Sequence, residues 1–286
     1  MTILSFHPCF GADKQIILGA RSLSREDRMS IDRADAILLP QGCSEELYHA
    51  CAQSGAPVFP EYGVRFQYPG KTGQAQLFRE LLLPHPETYC WKNVADFRLF
   101  LEKRASPSHR FPFFVKIDGA HEGEGVFFIE DETHLQDVLG QLKQREASGT
   151  SGFLTQAAVP TRGNVLRAVI IGNDIFSFWK RPSEKGGMIT NISKGGLLDR
   201  KWRPDLQEKA VVETRNVSRK TGLNLAAIDF AVAVDESDPR PLFLEINYFF
   251  ARRGLGGTMP YYRYLYRAIR EWLAQKNLDP DRIVLY

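Results

Sequence analysis

The sequence predicts a mixed α/β protein in two parts, a small N-terminal parallel α/β unit over residues 1–70 and a larger α+β region over 71–286. Three observations predict this. Strand and helix signals alternate up to about residue 60, the rhythm of a parallel sheet with helical crossovers. From Phe113 onward the pattern changes to hairpins and long apolar strands. Near the C-terminus two apolar runs, Ala227–Val234 and Pro241–Asn247, carry acidic and amide side chains where a buried strand should have none.

In the N-terminal unit, Lys14–Gly19, Asp35–Leu39 and Val58-Phe59 are short strand candidates. Ser24 opens a polar helix between the first two, and Ser44 starts another that runs through Ala52. Gly63–Gly73, rich in glycine, aromatic and basic residues, reads as a linker. A helix over Gly73–Leu82 ends at Pro84-His85-Pro86, a strand follows over Thr88–Trp91, and Asn93 caps a helix reaching Lys103. Strands are expected at Phe113–Ile117, Val126–Ile129, Phe153–Ala157, Leu166–Ile171 and Ile175–Trp179, with a helix over Thr133–Glu146. Pro204–Thr221 is a helix with proline in its first turn. Pro260–Gln275 has the aromatic and aliphatic spacing of an amphipathic helix.

Composition sets bounds. At 286 residues, 43% hydrophobic and 25% charged, the chain is long and apolar enough for a substantial core. A formal net charge of +3 gives no argument for a nucleic-acid or membrane partner. Cys9, Cys43, Cys51 and Cys90 show no C-x-x-C pairing and no histidine cluster, so they read as reduced thiols. With no signal-peptide pattern and no bilayer-length apolar run, a cytoplasmic protein is expected.

The chemistry lies in the polar residues of the apolar strands. Alternation puts Glu245 and Asn247 on one face, and pairing through the turn 235–240 can bring Asp229 onto it. Strand-end charges reaching solvent are the alternative for either carboxylate alone. As a set, two carboxylates and an amide oxygen suit Mg²⁺ shared with phosphates, and an unpartnered buried charge is costly. A second signal is Lys116, inside an apolar strand that enters a loop with glycines at 119, 123 and 125. Glycine lets backbone N–H groups approach an anion, although a snorkelling lysine on a hairpin is common too. A third is the gathering of Arg167, Lys180, Arg181 and Lys194 around a glycine-bearing loop, suited to a triphosphate or a carboxylate.

Taken in order, these residues resemble the ATP-grasp superfamily, and within it the RimK-like carboxylate–amine ligases. The resemblance runs from Lys71 to the C-terminus, with the first sixty residues resembling the small domain that precedes the grasp. It implies two α+β subdomains, at about 71–160 and 161–286, clasping the nucleotide. It implies ATP held by Lys71, Lys116, the glycines Gly119, Gly123 and Gly125, and the hinge residues Gln156, Ala157 and Val159. Lys180 and Asn191 would lie beside the triphosphate, and Asp229, Glu245 and Asn247 fall on the positions that ligate Mg²⁺ or Mn²⁺. Arg167 or Arg181 would stabilise the transferring phosphoryl group, and Arg252 or Arg253 would receive the substrate carboxylate.

The implied partners are a small-molecule or peptide carboxylate and an amine, with a homodimer as the default assembly. Phosphoryl transfer to a hydroxyl on the same fold, or nucleotide binding without turnover, are the alternatives. The sequence departs from the family at Ala157, where a glutamate is usual. It departs again after Asn247, where Tyr248–Ala251 and the Arg252-Arg253 pair replace a small residue, proline and glycine. The substrate of RimK therefore does not carry over.

Overall fold

A computed structural model describes residues 1–103, 109–118, 125–149, 152–182 and 196–286. The chain opens with β1 (Ile3–Ser5), β2 (Phe10–Gly11), β3 (Lys14–Gln15), α1 (Arg25–Asp32), β4 (Ala36–Leu38), α2 (Glu45–Gln53) and β5 (Val58–Phe59). Four of these strands form a parallel sheet in the order β3-β1-β4-β5. Ser24 and Ser44 cap α1 and α2 as their sequence positions suggest. The strand expected over Lys14–Gly19 contracts to the edge strand β3, while the central strand β1 was not expected. All three β1 residues are buried, because a strand covered on both faces has no polar alternation to read.

The expected linker over Gly63–Gly73 is instead α3 (Gly63–Gln67) and the start of α4 (Gly70–Glu80). Tyr62 and Val64 are buried there, so the glycine and aromatic content serves close packing and helix entry.

A second, antiparallel sheet combines β6 (Thr88–Trp91), β7 (Phe113–Ile117), β8 (Val126–Ile129) and β9 (Phe153–Ala157) in the order β6-β9-β7-β8. The helices α5 (Val94–Lys103) and α6 (Glu132–Ala147) cover one face. Phe113, Val115 and Ile117 pack into that core, so alternation turns Phe114 and Lys116 to the opposite face.

The third sheet, antiparallel throughout, has the order β12-β11-β10-β13-β14. Its strands are β10 (Val165–Ile171), β11 (Asp174–Arg181), β12 (Leu197–Asp199), β13 (Leu225–Ala231) and β14 (Leu242–Asn247). Helix α7 (Pro204–Thr221) has Pro204 at its first turn and Gly222 at φ +77° closing it. Its buried residues Leu206, Ala210 and Val217 share a core with Leu166, Ala168 and Trp179. On the other face, α8 (Thr258–Gln275) packs Tyr261, Leu265 and Ile269 against Val169, Ile171 and Phe178. Both cores also contain residues of β1 and β4, so the N-terminal unit shares its hydrophobic interior with the third sheet. The last strand, β15 (Val284–Leu285), pairs with β2. The four cysteines are free thiols, and among the described residues no helix is long and apolar enough to cross a membrane.

Candidate active site

Three antiparallel neighbours bring the key charges into line. Arg167 on β10 pairs with Asp229 on β13, and Asp229 pairs with Glu245 on β14. Directly paired residues share a face, so the expected grouping of Asp229 with Glu245 is present. Arg167 grips Asp229 as a fork, Nε to Oδ1 and Nη2 to Oδ2, both at 2.7 Å. Lys180 Nζ adds a third bond to Oδ2 at 2.9 Å. Burial alone would raise the Asp229 pKa, but the charges of Arg167 and then Lys180 outweigh it and hold the carboxyl well below its usual range.

Beside this group, Asn247 Nδ2 donates to Glu245 Oε1 at 3.0 Å. A carboxylate has about four acceptor positions. Asp229 Oδ1 takes one of the bonds just described and Glu245 Oε2 none among the described residues. Each therefore keeps an oxygen for a hard cation, and the third donor is an amide. The residues fit a Mg²⁺ or Mn²⁺ ion completed by phosphate and water. The amide donor also accords with the absence, among the described residues, of any cluster of three His, Cys, Asp or Glu side chains.

The facing wall comes from the second sheet and α4. Lys116 Nζ donates to Gln156 Oε1 at 2.6 Å, Gln156 Nε2 donates to Thr88 Oγ1 at 2.9 Å, and the Thr88 hydroxyl donates to the Pro86 carbonyl at 2.7 Å. This relay fixes the ammonium of Lys116. Its pKa falls to about 8, first through burial, with Glu245 opposing the shift and Lys71 adding to it. Lys71, Thr88, Lys116, Gln156 and Glu245 line one narrow cleft.

Lys71 reaches that cleft because Asp118, at the end of β7, holds the start of α4. Asp118 Oδ1 accepts from the Lys71 N–H at 2.6 Å, and Oδ2 accepts from the Thr72 hydroxyl. Gly70 makes the approach possible: its φ is +69°, and a Cβ there would lie 2.1 Å from Asp118 Oδ1. Neither Asp118 nor Gln74, which clasps β14 at Ile246, was singled out in the sequence. The aspartate directly following the Lys116 strand was the available signal.

Other expected residues lie elsewhere. Arg181 sits on the α7 side of β11, bonded to Asp199 at 2.9 Å and stacked 4.5 Å from the Trp202 ring centre. Strand alternation sends it away from Lys180, so the structure does not bring it to the cleft. The Ala157 N–H donates to the Glu87 carbonyl, and the Val159 carbonyl accepts from Thr161. Gly125, at φ +68°, accepts from the Ile117 N–H through its carbonyl. Gly119, Gly123, Asn191 and Lys194 lie outside the described residues.

The loop after β14 forms a separate cavity of about 720 Å³ lined by Gln41, Phe249, Phe250, Arg252, Arg253 and Thr258, the first residue of α8. Gly254 seats this loop on the sheet, since a Cβ there would lie 2.0 Å from the Phe178 ring. Arg252 rests 4.7 Å from the ring centres of both Tyr261 and Tyr262 and donates to Tyr262 Oη at 3.2 Å. His7, behind it, has its pKa lowered to about 4 by burial and then by the Arg252 charge. Its Nδ1 accepts from the Cys9 N–H, which places the ring proton on Nε2.

A parallel N-terminal unit followed by two α+β layers facing across a lysine- and carboxylate-lined cleft is the ATP-grasp architecture. A RimK-like ATP-grasp domain is matched over residues 71–256, and the chain belongs to that family. N-acetylaspartylglutamate synthase A of Homo sapiens is 26% identical over 164 residues, covering 56% of this chain and 39% of that protein. A probable alpha-L-glutamate ligase of Haemophilus ducreyi is 26% identical over 140 residues, covering 49% of this chain and 42% of its own. The chain thus spans about two fifths of the length of these relatives. Among solved structures, a RimK-domain ATP-grasp protein of Sphaerobacter thermophilus superposes with a TM-score of 0.58 at 14% identity, over 93% of this chain and 98% of that one. An N5-carboxyaminoimidazole synthetase of Staphylococcus aureus in complex with ADP superposes at 0.58 with the same identity, over 86% and 63%.

Proposed function

We propose that the protein is an ATP-dependent ligase that joins a carboxylate to an amine through an acyl phosphate. The observation that carries this reading is the convergence of Lys71, Lys116, Glu245 and Thr88 on one cleft, beside the Asp229–Arg167–Lys180 group on the facing sheet. Four cations and two carboxylates form a net positive site for a polyphosphate.

In the reaction a substrate carboxylate oxygen bonds to the γ-phosphorus of ATP while the bond to the β–γ bridging oxygen breaks, releasing ADP. The amine then attacks the acyl carbon, the carbon–oxygen bond to phosphate breaks, and the amine proton passes to solvent. No protein nucleophile is required, so the chain's task is positioning and charge neutralisation. Lys116, fixed by Gln156, and Lys71, fixed through Asp118, hold phosphate oxygens. Arg167 and Lys180 offset developing charge while keeping Asp229 ionised. When bound to Glu245, Asn247 and the open position of Asp229, Mg²⁺ or Mn²⁺ supplies Lewis-acid charge at the phosphates. The cavity beyond β14 offers Arg252 and Arg253 to the carboxylate substrate, and among the described residues its lining includes no acid that could act as base toward a hydroxyl, which favours the ligase over the kinase reading.

The test is ADP release from Mg-ATP across a panel of carboxylates with hydroxylamine as the trapping amine. Carboxylate-dependent ADP with matching hydroxamate is expected. ADP without hydroxamate would redirect the assignment to phosphoryl transfer or simple hydrolysis.

A further inference from the structure

One residue of the N-terminal unit, Gln41, lines the cavity beyond β14. From β1 the chain leads to β3 on one side, whereas β4 leads to β5 on the other. The crevice between the C-terminal ends of β1 and β4 is therefore a topological switch point, where open parallel sheets bind ligands. His7 follows β1 and Gln41 follows β4, and Gln41 lines the 720 Å³ cavity.

The Gln41 amide is used at both ends. Its Nε2 donates to the Tyr248 carbonyl at 3.1 Å, and its Oε1 accepts from the Tyr261 hydroxyl at 3.1 Å. Tyr248 follows the proposed metal ligand Asn247 in the chain, and Tyr261 is one of the two rings on which Arg252 rests. One side chain of the N-terminal unit thus ties the backbone after β14 to the platform under Arg252.

The cavity is built for negative charge. Among the described residues its only charged lining groups are Arg252 and Arg253. Helix α8 opens at Gly257-Thr258 without a side-chain cap, and both residues line the cavity, so the positive end of the helix lies at its wall. Arg252 is pinned by the two tyrosines, while Arg253 is exposed and has no side-chain partner among the described residues.

We propose that Gln41 is a positioning residue of a carboxylate-binding subsite, setting Arg252 through Tyr261 so that the N-terminal unit helps select an acidic substrate. This rests on the ligase reading for its place in the reaction, but its test requires no turnover. Binding of glutarate to the full chain, with succinate and adipate as length controls, is followed by calorimetry. The wild type, Gln41→Ala, Gln41→Glu, Arg252→Ala and the Gln41→Ala/Arg252→Ala double variant are compared.

The wild type should bind at least one of these dicarboxylates, and Gln41→Ala should weaken that binding about tenfold, the scale of two lost hydrogen bonds. The double variant should bind no more weakly than Arg252→Ala alone, because Gln41 acts through the arginine. Gln41→Glu keeps the acceptor for Tyr261 but adds a negative charge, so it should weaken binding further while the protein stays folded. Mg-ATP affinity should stay at the wild-type level in all Gln41 variants. Absence of dicarboxylate binding by the wild type would overturn the subsite. Additive losses, or equal loss of Mg-ATP binding, would overturn the positioning role. Dicarboxylate binding in a protein that never turns over ATP would retain the subsite and reject the ligase reading.

Discussion

The side-chain amide of Gln74 and the peptide of Ile246 exchange two hydrogen bonds of 2.8 Å each. β14 is the edge strand of the third sheet, and Gln74 completes it as one residue of a further strand would. Ile246 lies between Glu245 and Asn247, so this clasp sets the register of α4, which carries Lys71, against the carboxylate across the cleft.

Replacing Gln74 by leucine leaves the Ile246 N–H and C=O unpaired on a covered edge. A loss of about 1–3 kcal/mol is expected, measured from urea denaturation midpoints. Mg-ATP affinity should fall as well, because Lys71 loses its fixed distance from Glu245. Unchanged stability and affinity would show that the clasp holds neither strand nor site.

Asp229 neutralises two buried cations at once, so Asp229→Asn should cost about 3–5 kcal/mol by leaving Arg167 and Lys180 without their anion. Adding Lys180→Met should recover part of that loss, since one stranded charge is removed, and the two substitutions should be non-additive. Additive losses in chemical denaturation would mean that Lys180 and Asp229 act independently.

How much of this was legible in the sequence varied with the kind of signal. Helix α7 could be read residue by residue because Pro204 and Gly222 punctuate both ends. The Asp229–Glu245 pairing was accessible from alternation and a short turn. Arg181 illustrates the limit: alternation separates it from Lys180, but which of the two joins Arg167 and Asp229 depends on the register Val165↔Lys180, which no local pattern states. β1 was hidden by its three-residue length. α3 and the α4 entry were hidden by their glycines, and the purpose of Gly70 depends on Asp118, some fifty residues away. Likewise, the joining of Gln41 to Tyr261 spans 220 positions, a separation that only the folded topology closes.

Glu245 has lighter ties than Asp229, with one described hydrogen bond from Asn247. Glu245→Gln should therefore leave stability within about 0.5 kcal/mol of the wild type. It should lower Mg-ATP turnover by about a hundredfold or more, on the scale seen for metal-site substitutions. A coupled assay for ADP and a denaturation curve on the same preparation separate the two effects. Turnover at the wild-type rate would remove Glu245 from the metal assignment.

Lys116 gives a pH signature with two opposed trends. Its folded pKa is about 8, against an ordinary value of 10.5, chiefly because burial disfavours the ammonium. Between those values the unfolded chain binds the extra proton, so this group's contribution to stability rises with pH across the window. Phosphate binding runs the other way, because it needs the charged form, and Mg-ATP affinity should weaken as pH rises through about 8. Lys116→Met should abolish both trends, and Lys116→Arg, charged throughout, should keep binding level over the range. Titrating Mg-ATP dissociation constants from pH 6.5 to 9.5 (a range chosen to bracket the roughly 8 midpoint) checks the assignment. A wild-type profile as level as that of Lys116→Arg would mean that Lys116 does not hold phosphate.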